Sequence, residues 1–336
     1  PADVVIVKTA HRSLCMLAAL LPGLLLPLPG RGATDADDPA GVGIRAFSEA
    51  FAGRHGGDAD AIERLIEREA SHQPAIIEAI TTPAEALAWH RYRGIFLTDE
   101  RIRAGVAFKR RHQQWLDAME AEYGVPADIV VAIIGVETFY GRYTGDHRVI
   151  DALRTLGFGY PPRAAFFRDE LEAFLLLARE AGIDARSARG SYAGAMGIPQ
   201  FIASSYRAYA VDFNDNGRRD LFSEPADAIG SIGHYLARHG WQAQAPIAVP
   251  AAVRGDEWRA YRRESLEPVD SVGTLAAAGV HPERALASGL SARLLALQAG
   301  NGPRYWVTLH NFYAITRYNH RSEERRVGKE CTLRCR

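Results

Sequence analysis

The chain has 336 residues, 47% of them hydrophobic, enough to bury a large core in one big or two medium domains. Its 40 basic residues balance 40 acidic ones, so no global field draws it to nucleic acid or to an anionic membrane surface. Only Cys15, Cys331 and Cys335 are available for cross-links, so packing rather than disulfides must hold the fold, and the terminal thiol pair lacks the His or further Cys of a metal site.

In chain order, the first feature is an apolar run over residues 13–29, preceded by Lys8 and Arg12 and followed by Gly30-Arg31-Gly32-Ala33-Thr34. This is the pattern of a secretory signal over residues 1–33. Pro22, Gly23, Pro27 and Pro29 interrupt a stretch too short to span a bilayer comfortably. Cys15 lies near the start of the run rather than after it, so no lipid-attachment motif is seen, and Met16 is a candidate start because the chain opens on Pro1. A polar linker over 34–42 follows. Helical patterns are expected over 60–70, 75–80, 83–90 and 99–123, the last opened by Thr98-Asp99-Glu100 and stopped by Gly124-Val125-Pro126. The next helix, 126–138, is almost wholly apolar and should be buried on most sides. Helices are also expected over 163–181 and over 225–239, the latter opened by Pro225 and closed by Gly240. From residue 245 the texture changes, with short strands expected at 246–253, 273–275, 292–297 and 305–309 before helix resumes at 310–317. The expected fold is mainly α with a small β subdomain, an α+β arrangement.

Two stretches carry the chemistry. In Gly135-Val136-Glu137-Thr138-Phe139-Tyr140-Gly141, a carboxylate ends an apolar helix, where desolvation favours the protonated form that a general acid needs. From the helix alone, Glu137 reads equally as an ordinary helix-end Glu or a partner of Arg142. In Gly190-Ser191-Tyr192-Ala193-Gly194-Ala195-Met196-Gly197-Ile198-Pro199-Gln200-Phe201, Gly190, Gly194 and Gly197 would let a ligand approach the backbone. Among Phe139, Tyr140, Tyr160 and Tyr192, about half are expected to line a cleft and the rest to be core. A third stretch, Asp212-Phe213-Asn214-Asp215-Asn216-Gly217, has oxygen side chains at positions 1, 3 and 5 and Gly at 6, the front half of an EF-hand loop. Position 12 is Ser223 rather than Glu, so a plain polar turn is the alternative.

Glu137-Thr138-Phe139-Tyr140-Gly141, with Gly124-Val125-Pro126 before it, resembles the signature of lysozyme-like lytic transglycosylases, and specifically the membrane-bound lytic transglycosylase B family. The resemblance extends over Tyr92–Phe96, Ile150–Leu153, Gly190–Tyr209, Val211–Phe213, Asp227–Gly230 and Tyr318–His320. It implies a lysozyme-like catalytic core over 126–244, a helical domain over 43–125, the β subdomain over 245–309, and a return to the helical domain over 310–320. It also implies cleavage of the bond between N-acetylmuramic acid and N-acetylglucosamine in peptidoglycan, with Glu137 acting first as acid and then as base. Substrate contacts are implied for Tyr92, Arg163, Ser191, Gln200, Tyr235, Tyr318 and Asn319. A structural calcium is implied, held by Asp212, Asn214, Asn216, the Arg218 carbonyl and Asp227, with no organic cofactor.

A hydrolytic muramidase would need a second carboxylate. Asp146 and Asp151 are the nearest in sequence, and they have simpler readings as a loop residue and a helix cap. A non-catalytic wall-binding protein would keep the aromatics and lose the acid. The expected setting is the periplasm or cell envelope. The partners expected there are glycan strands, with wall-synthesis enzymes as further candidates, for a chain acting as a monomer. Residues 321–336, with six basic and three acidic residues, depart from the family and read as a foreign, disordered tail.

Overall fold

The computed structural model describes residues 43–81 and 89–319. The expected signal, the linker up to residue 42, most of the helix expected at 83–90, His320, Cys331, Cys335 and the tail lie outside these residues. The protein is mainly helical with a small sheet. In chain order the helices begin with α1 (Ile44–His55), α2 (Ala59–Arg64, extended by a π-turn over Leu65–Glu69), α3 (Pro74–Thr81), α4 (Trp89–Phe96), α5 (Asp99–Arg111), α6 (Gln113–Tyr123) and α7 (Ala127–Thr138). There follow β1 (His147–Arg148), α8 (Val149–Gly159), α9 (Ala164–Ala181), β2 (Arg189–Gly190), α10 (Ala203–Tyr209) and α11 (Pro225–Arg238). The last part holds β3 (Ala248–Val253), β4 (Asp270–Ser271), α12 (Val272–Ala277), β5 (Val280–Pro282), β6 (Ser291–Ala299), β7 (Gly302–Thr308) and α13 (His310–Thr316).

Two expectations are corrected. The single helix expected over 99–123 is two helices, because His112 leaves helical geometry at φ −112°, ψ 22°. Its ring instead packs on Phe108 at 4.5 Å. The strand expected at 273–275 is helical: Ser271 is extended at φ −108°, ψ 157°, and its hydroxyl accepts the Thr274 N–H at 3.0 Å, an N-cap that starts α12.

The described chain divides into two compact units, with the divisions inside α7, after Val136, and inside α11, after Ser231. One unit contains 89–136 and 232–319. In it, β3–β7 form an antiparallel sheet in the order β4-β6-β7-β3-β5. Successive side chains on β6 and β7 alternate between faces. Ala292, Leu294 and Val307 therefore join Trp258, Val272, Leu275 and Val280 in one core, while Leu295 and Leu297 join Leu266 and Phe312 in another. The helix α7 belongs to this unit up to Val136, and Val130, Val131, Ala132 and Ile134 on it are buried. Its start is fixed by the Glu120 carboxylate, which accepts the Ala127 N–H at 2.9 Å.

The other unit contains 43–81 and 137–231. Here α8 and α9 pack against each other through Leu153, Leu156, Phe167, Leu171 and Phe174, all buried. Asp151, read from sequence as a helix cap, does something else. It is the third residue of α8, buried, and its carboxylate accepts the Ser71 N–H at 2.8 Å, Gln73 Nε2 at 2.9 Å, and Arg148 Nε and Nη2 at 2.9 and 2.6 Å. Thr155, one turn on, accepts the Gln73 N–H. Together they hold the segment leading into α3 against α8. Among the described residues, no helix is long and apolar enough to cross a membrane.

Candidate active site

Glu137 is half-buried in the last turn of α7. The helix cannot continue, because Phe139, Tyr140 and Gly141 all take positive φ, at 50°, 62° and 84°. Two bulky residues in succession in this region carry strain of about 1–3 kcal/mol each, which persists only where the surroundings enforce it. Thr138 is what enforces it. It is buried, its hydroxyl donates to the Ile198 carbonyl at 2.9 Å and accepts the Gly141 N–H at 3.0 Å, and its own carbonyl accepts the Tyr143 N–H at 2.9 Å. The two sequence stretches that carry the chemistry are thus brought together by a direct bond from the residue after Glu137. Within the other unit, Arg101 donates to the Gly135 carbonyl, satisfying an oxygen that the ending helix would leave orphaned.

The Gly190–Phe201 stretch folds on itself. Gly190 pairs with His147 in the β1–β2 ladder, Met196 and Phe201 exchange backbone bonds of 2.8 and 3.1 Å, and the Ser191 N–H donates to the Ala195 carbonyl. The Ser191 hydroxyl accepts the Ala193 and Ala195 N–H groups at 3.3 and 3.1 Å, leaving its own hydrogen to donate outward. Gln200, at φ 55°, donates Nε2 to the Thr144 and Gly197 carbonyls at 2.9 and 3.0 Å, and its Oε1 is unengaged among the described residues.

The three glycines are required by close contacts within the protein itself. A Cβ at Gly190 would stand 2.3 Å from the Ala195 carbonyl, one at Gly194 2.8 Å from the Leu153 side chain, and one at Gly197 2.3 Å from the Leu221 carbonyl. The protein's own packing needs them. Gly197→Ala, at φ 68° and against a carbonyl that already bonds Ile198, should therefore destabilise by about 2 kcal/mol or more. Urea unfolding checks this, and a change below about 0.5 kcal/mol would mean that the turn relaxes freely.

Of the four aromatics weighed from sequence, Phe139 and Tyr160 are buried, whereas Tyr140 and Tyr192 are half-buried and accessible. Sequence reasoning missed Tyr143, which is 68% exposed and stacks on Phe139 at 6.1 Å. No pattern marks it, because its position follows from the strained turn. The Arg142 guanidinium also lies over the Phe139 ring, at 4.8 Å. Arg163 lies over Phe166 at 4.3 Å, in the 3-10 turn that precedes α9.

Two other acids in this unit are committed elsewhere. Asp151 is engaged as described above. Buried Glu170 accepts the Ser204 hydroxyl at 2.6 Å and its N–H at 3.1 Å, and burial raises its carboxyl above the usual range. Asp146 stands exposed.

The remaining expected contacts lie in the first unit. Tyr92 is buried on α4 against Phe96, at 5.2 Å. Buried Tyr235 on α11 stacks on His239 at 3.9 Å, meets Tyr318 edge-on at 5.0 Å, and donates its hydroxyl to the Arg317 carbonyl. It thereby anchors the 3-10 turn Arg317–Asn319 that carries Tyr318 and Asn319.

The loop 212–227 fits a bound cation. Asp212 gathers it by accepting the Asn216 and Gly217 N–H groups at 3.0 and 2.6 Å, with Asp215 and Gly217 at positive φ. The Asn214 Oδ1 is buried with no hydrogen-bond partner, an orphaned acceptor of the kind a cation satisfies. Asn216 Oδ1 accepts the Arg218 N–H at 3.0 Å. Asp227 is buried, with its two oxygens accepting the Phe213 and Asp220 N–H groups at 2.8 Å each. Burial raises its carboxyl, and the nearby Asp212 and Glu224 charges add to the rise.

Residues 42–323 match the family model described as the transglycosylase SLT domain. The chain is 39% identical to membrane-bound lytic murein transglycosylase B of Escherichia coli (strain K12) over 284 residues, covering 82% of this chain and 77% of that protein. It resembles the structure of the catenated lytic transglycosylase SltB1 from Pseudomonas aeruginosa, with a TM-score of 0.79 and 45% identity over 84% of this chain and 92% of that one. It also resembles the Escherichia coli lytic transglycosylase Slt35 in complex with calcium, with a TM-score of 0.76 and 38% identity over 90% and 95% of the two chains.

Proposed function

The chain belongs to the transglycosylase SLT domain family and is a peptidoglycan lytic transglycosylase, and we propose that Glu137 alone performs both halves of its reaction. The observation that carries this is the placement of Glu137: a half-buried carboxylate at the end of an apolar helix, followed by a strained turn that Thr138 ties to the Gly190–Phe201 stretch. In the first half, the Glu137 carboxyl gives its proton to the glycosidic oxygen as the bond from C1 of N-acetylmuramic acid to N-acetylglucosamine breaks. In the second, the resulting carboxylate takes the proton from the C6 hydroxyl of the same muramic acid as that oxygen bonds to C1. The product is a 1,6-anhydro sugar, the proton count closes on Glu137, and no water is consumed.

Asp151 and Glu170 are held in structural bonds, which takes both out of the part of the second free carboxylate that a hydrolase needs across the sugar, and exposed Asp146 is the carboxylate that product analysis must test. Substrate contacts are assigned to Ser191 and Gln200, through the hydroxyl hydrogen and the Oε1 that their internal bonds leave over, and to Arg163. In the other unit, Tyr92, Tyr235, Tyr318 and Asn319 are proposed as substrate contacts on the family resemblance. The substrate places the enzyme in the periplasm or cell envelope, where it acts on glycan strands as a monomer alongside the wall-synthesis enzymes. Loss of turbidity from purified, insoluble peptidoglycan tests the activity; sedimentation of the protein with peptidoglycan and no release of soluble fragments would show a binder instead.

We also propose that the 212–227 loop holds a structural calcium through Asp212, Asn214, Asn216, the Arg218 carbonyl and Asp227, each Asp227 oxygen retaining a second lone pair. When bound, the ion supplies stability rather than chemistry. Asp212→Ala should therefore abolish the rise in melting temperature that calcium gives the wild type, and leave turnover per folded molecule within about twofold. A wild-type melting temperature indifferent to calcium would reduce the loop to a turn.

A further inference from the structure

Glu224 was not singled out from sequence, because it stands at position 13 of a loop whose pattern calls for an acid at 12. In the fold it faces the loop. One carboxylate oxygen accepts from Asn214 Nδ2 at 3.0 Å and the other from Asn216 Nδ2 at 3.3 Å. These are the side chains at positions 3 and 5, and the Asn214 Oδ1 beside them is the buried acceptor with no partner. Glu224 is also rigidly based. Its N–H donates to the Asp220 carbonyl at 3.2 Å, and its carbonyl accepts the Ala228 N–H at 3.1 Å, at the start of α11.

Asp212, Glu224 and Asp227 together bring three carboxylates to this loop, and among the described residues no lysine or arginine forms an ion pair with any of them. Such a concentration of negative charge is unfavourable without a counter-charge. With both Asp227 oxygens, the five residues of the calcium reading supply six oxygens, the lower end of the six to eight that calcium takes, so there is room for a further ligand.

We infer that Glu224 is a further calcium ligand, completing the set from the first residue before α11 and coupling the ion to the start of that helix. This rests on the calcium reading above and goes beyond it. The bonds from Asn214 and Asn216 to Glu224 hold the side chains at positions 3, 5 and 13 together. The alternative is a structural one, in which Glu224 only orders two asparagines and never meets the ion.

Glu224→Gln separates the two, since it keeps the volume and one acceptor oxygen but removes the charge. Isothermal titration of the full chain with calcium, after chelator treatment, should show affinity weakened about tenfold or more relative to wild type. The calcium-free melting temperature should stay within a few degrees of wild type. Glu224→Asp, which restores charge with a shorter reach, should bind between the two. Wild-type affinity in Glu224→Gln, with calcium still raising the melting temperature of the wild type, would overturn the role of Glu224 alone. Absence of calcium binding by the wild type would overturn both this inference and the reading it rests on. If Glu224→Gln did not fold, wild-type affinity in Glu224→Asp would overturn the inference instead.

Discussion

Glu137→Gln is expected to lower the rate of glycan cleavage by about 10²–10⁴-fold, because the amide keeps the shape of the side chain but can neither give a proton nor take one. Since the carboxylate ends a helix whose packing comes from Val130, Val131, Ala132 and Ile134, the melting temperature should barely move. The variant should still sediment with insoluble peptidoglycan. The comparison that matters is rate per folded molecule on purified peptidoglycan. Activity within about threefold of wild type would move the acid and base to another group.

Asp151→Asn should be the most destabilising of the conservative changes considered, by about 3 kcal/mol. Asp151 is buried and its two oxygens accept four donors, from Ser71, Gln73 and both ends of the Arg148 guanidinium. An Asn would turn an NH2 group towards donors and leave Arg148 without its counter-charge. Burial by itself would raise the Asp151 carboxyl, but the bonds from Arg148, Ser71 and Gln73 outweigh it, so the folded-state pKa lies below the ordinary value. A depressed folded-state pKa stabilises the fold above the unfolded pKa of about 3.9, and that stabilisation is lost as pH falls through the folded value. Stability measured by denaturant should therefore fall below about pH 4 in the wild type, and Asp151→Asn should flatten that dependence. Equal acid sensitivity in the two proteins would show that other carboxylates control it.

The helix bearing Glu137 was legible because an unbroken apolar run flanked by Gly124 and Gly141 leaves few other choices. The strands at 246–253, 292–297 and 305–309 were legible for a similar local reason, and the structure places β3, β6 and β7 there. What escaped depends on contacts distant in sequence. The positive φ of Phe139 and Tyr140 follows from the Thr138 bond to Ile198, sixty residues on, and no propensity of Phe or Tyr announces it. Asp151 sits where a helix cap would be expected to lie, yet its partners come from Ser71 and Gln73.

Two features could have been found. Ser271 followed by Thr274 at capping distance signals the start of α12 rather than a strand. The run Val149, Ile150, Leu153 and Leu156 has the spacing of α8. Glu224 escaped because a fixed loop template was applied to a loop one residue longer.

The most direct test of the single-carboxylate account is mass spectrometry of fragments released from purified peptidoglycan in water enriched in heavy oxygen. The account predicts muropeptides ending in 1,6-anhydromuramic acid with no heavy oxygen incorporated at C1, because the muramic acid's own C6 oxygen closes the bond. Reducing-end muramic acid carrying heavy oxygen as the main product would contradict it, and would establish hydrolysis with water activated by a second group.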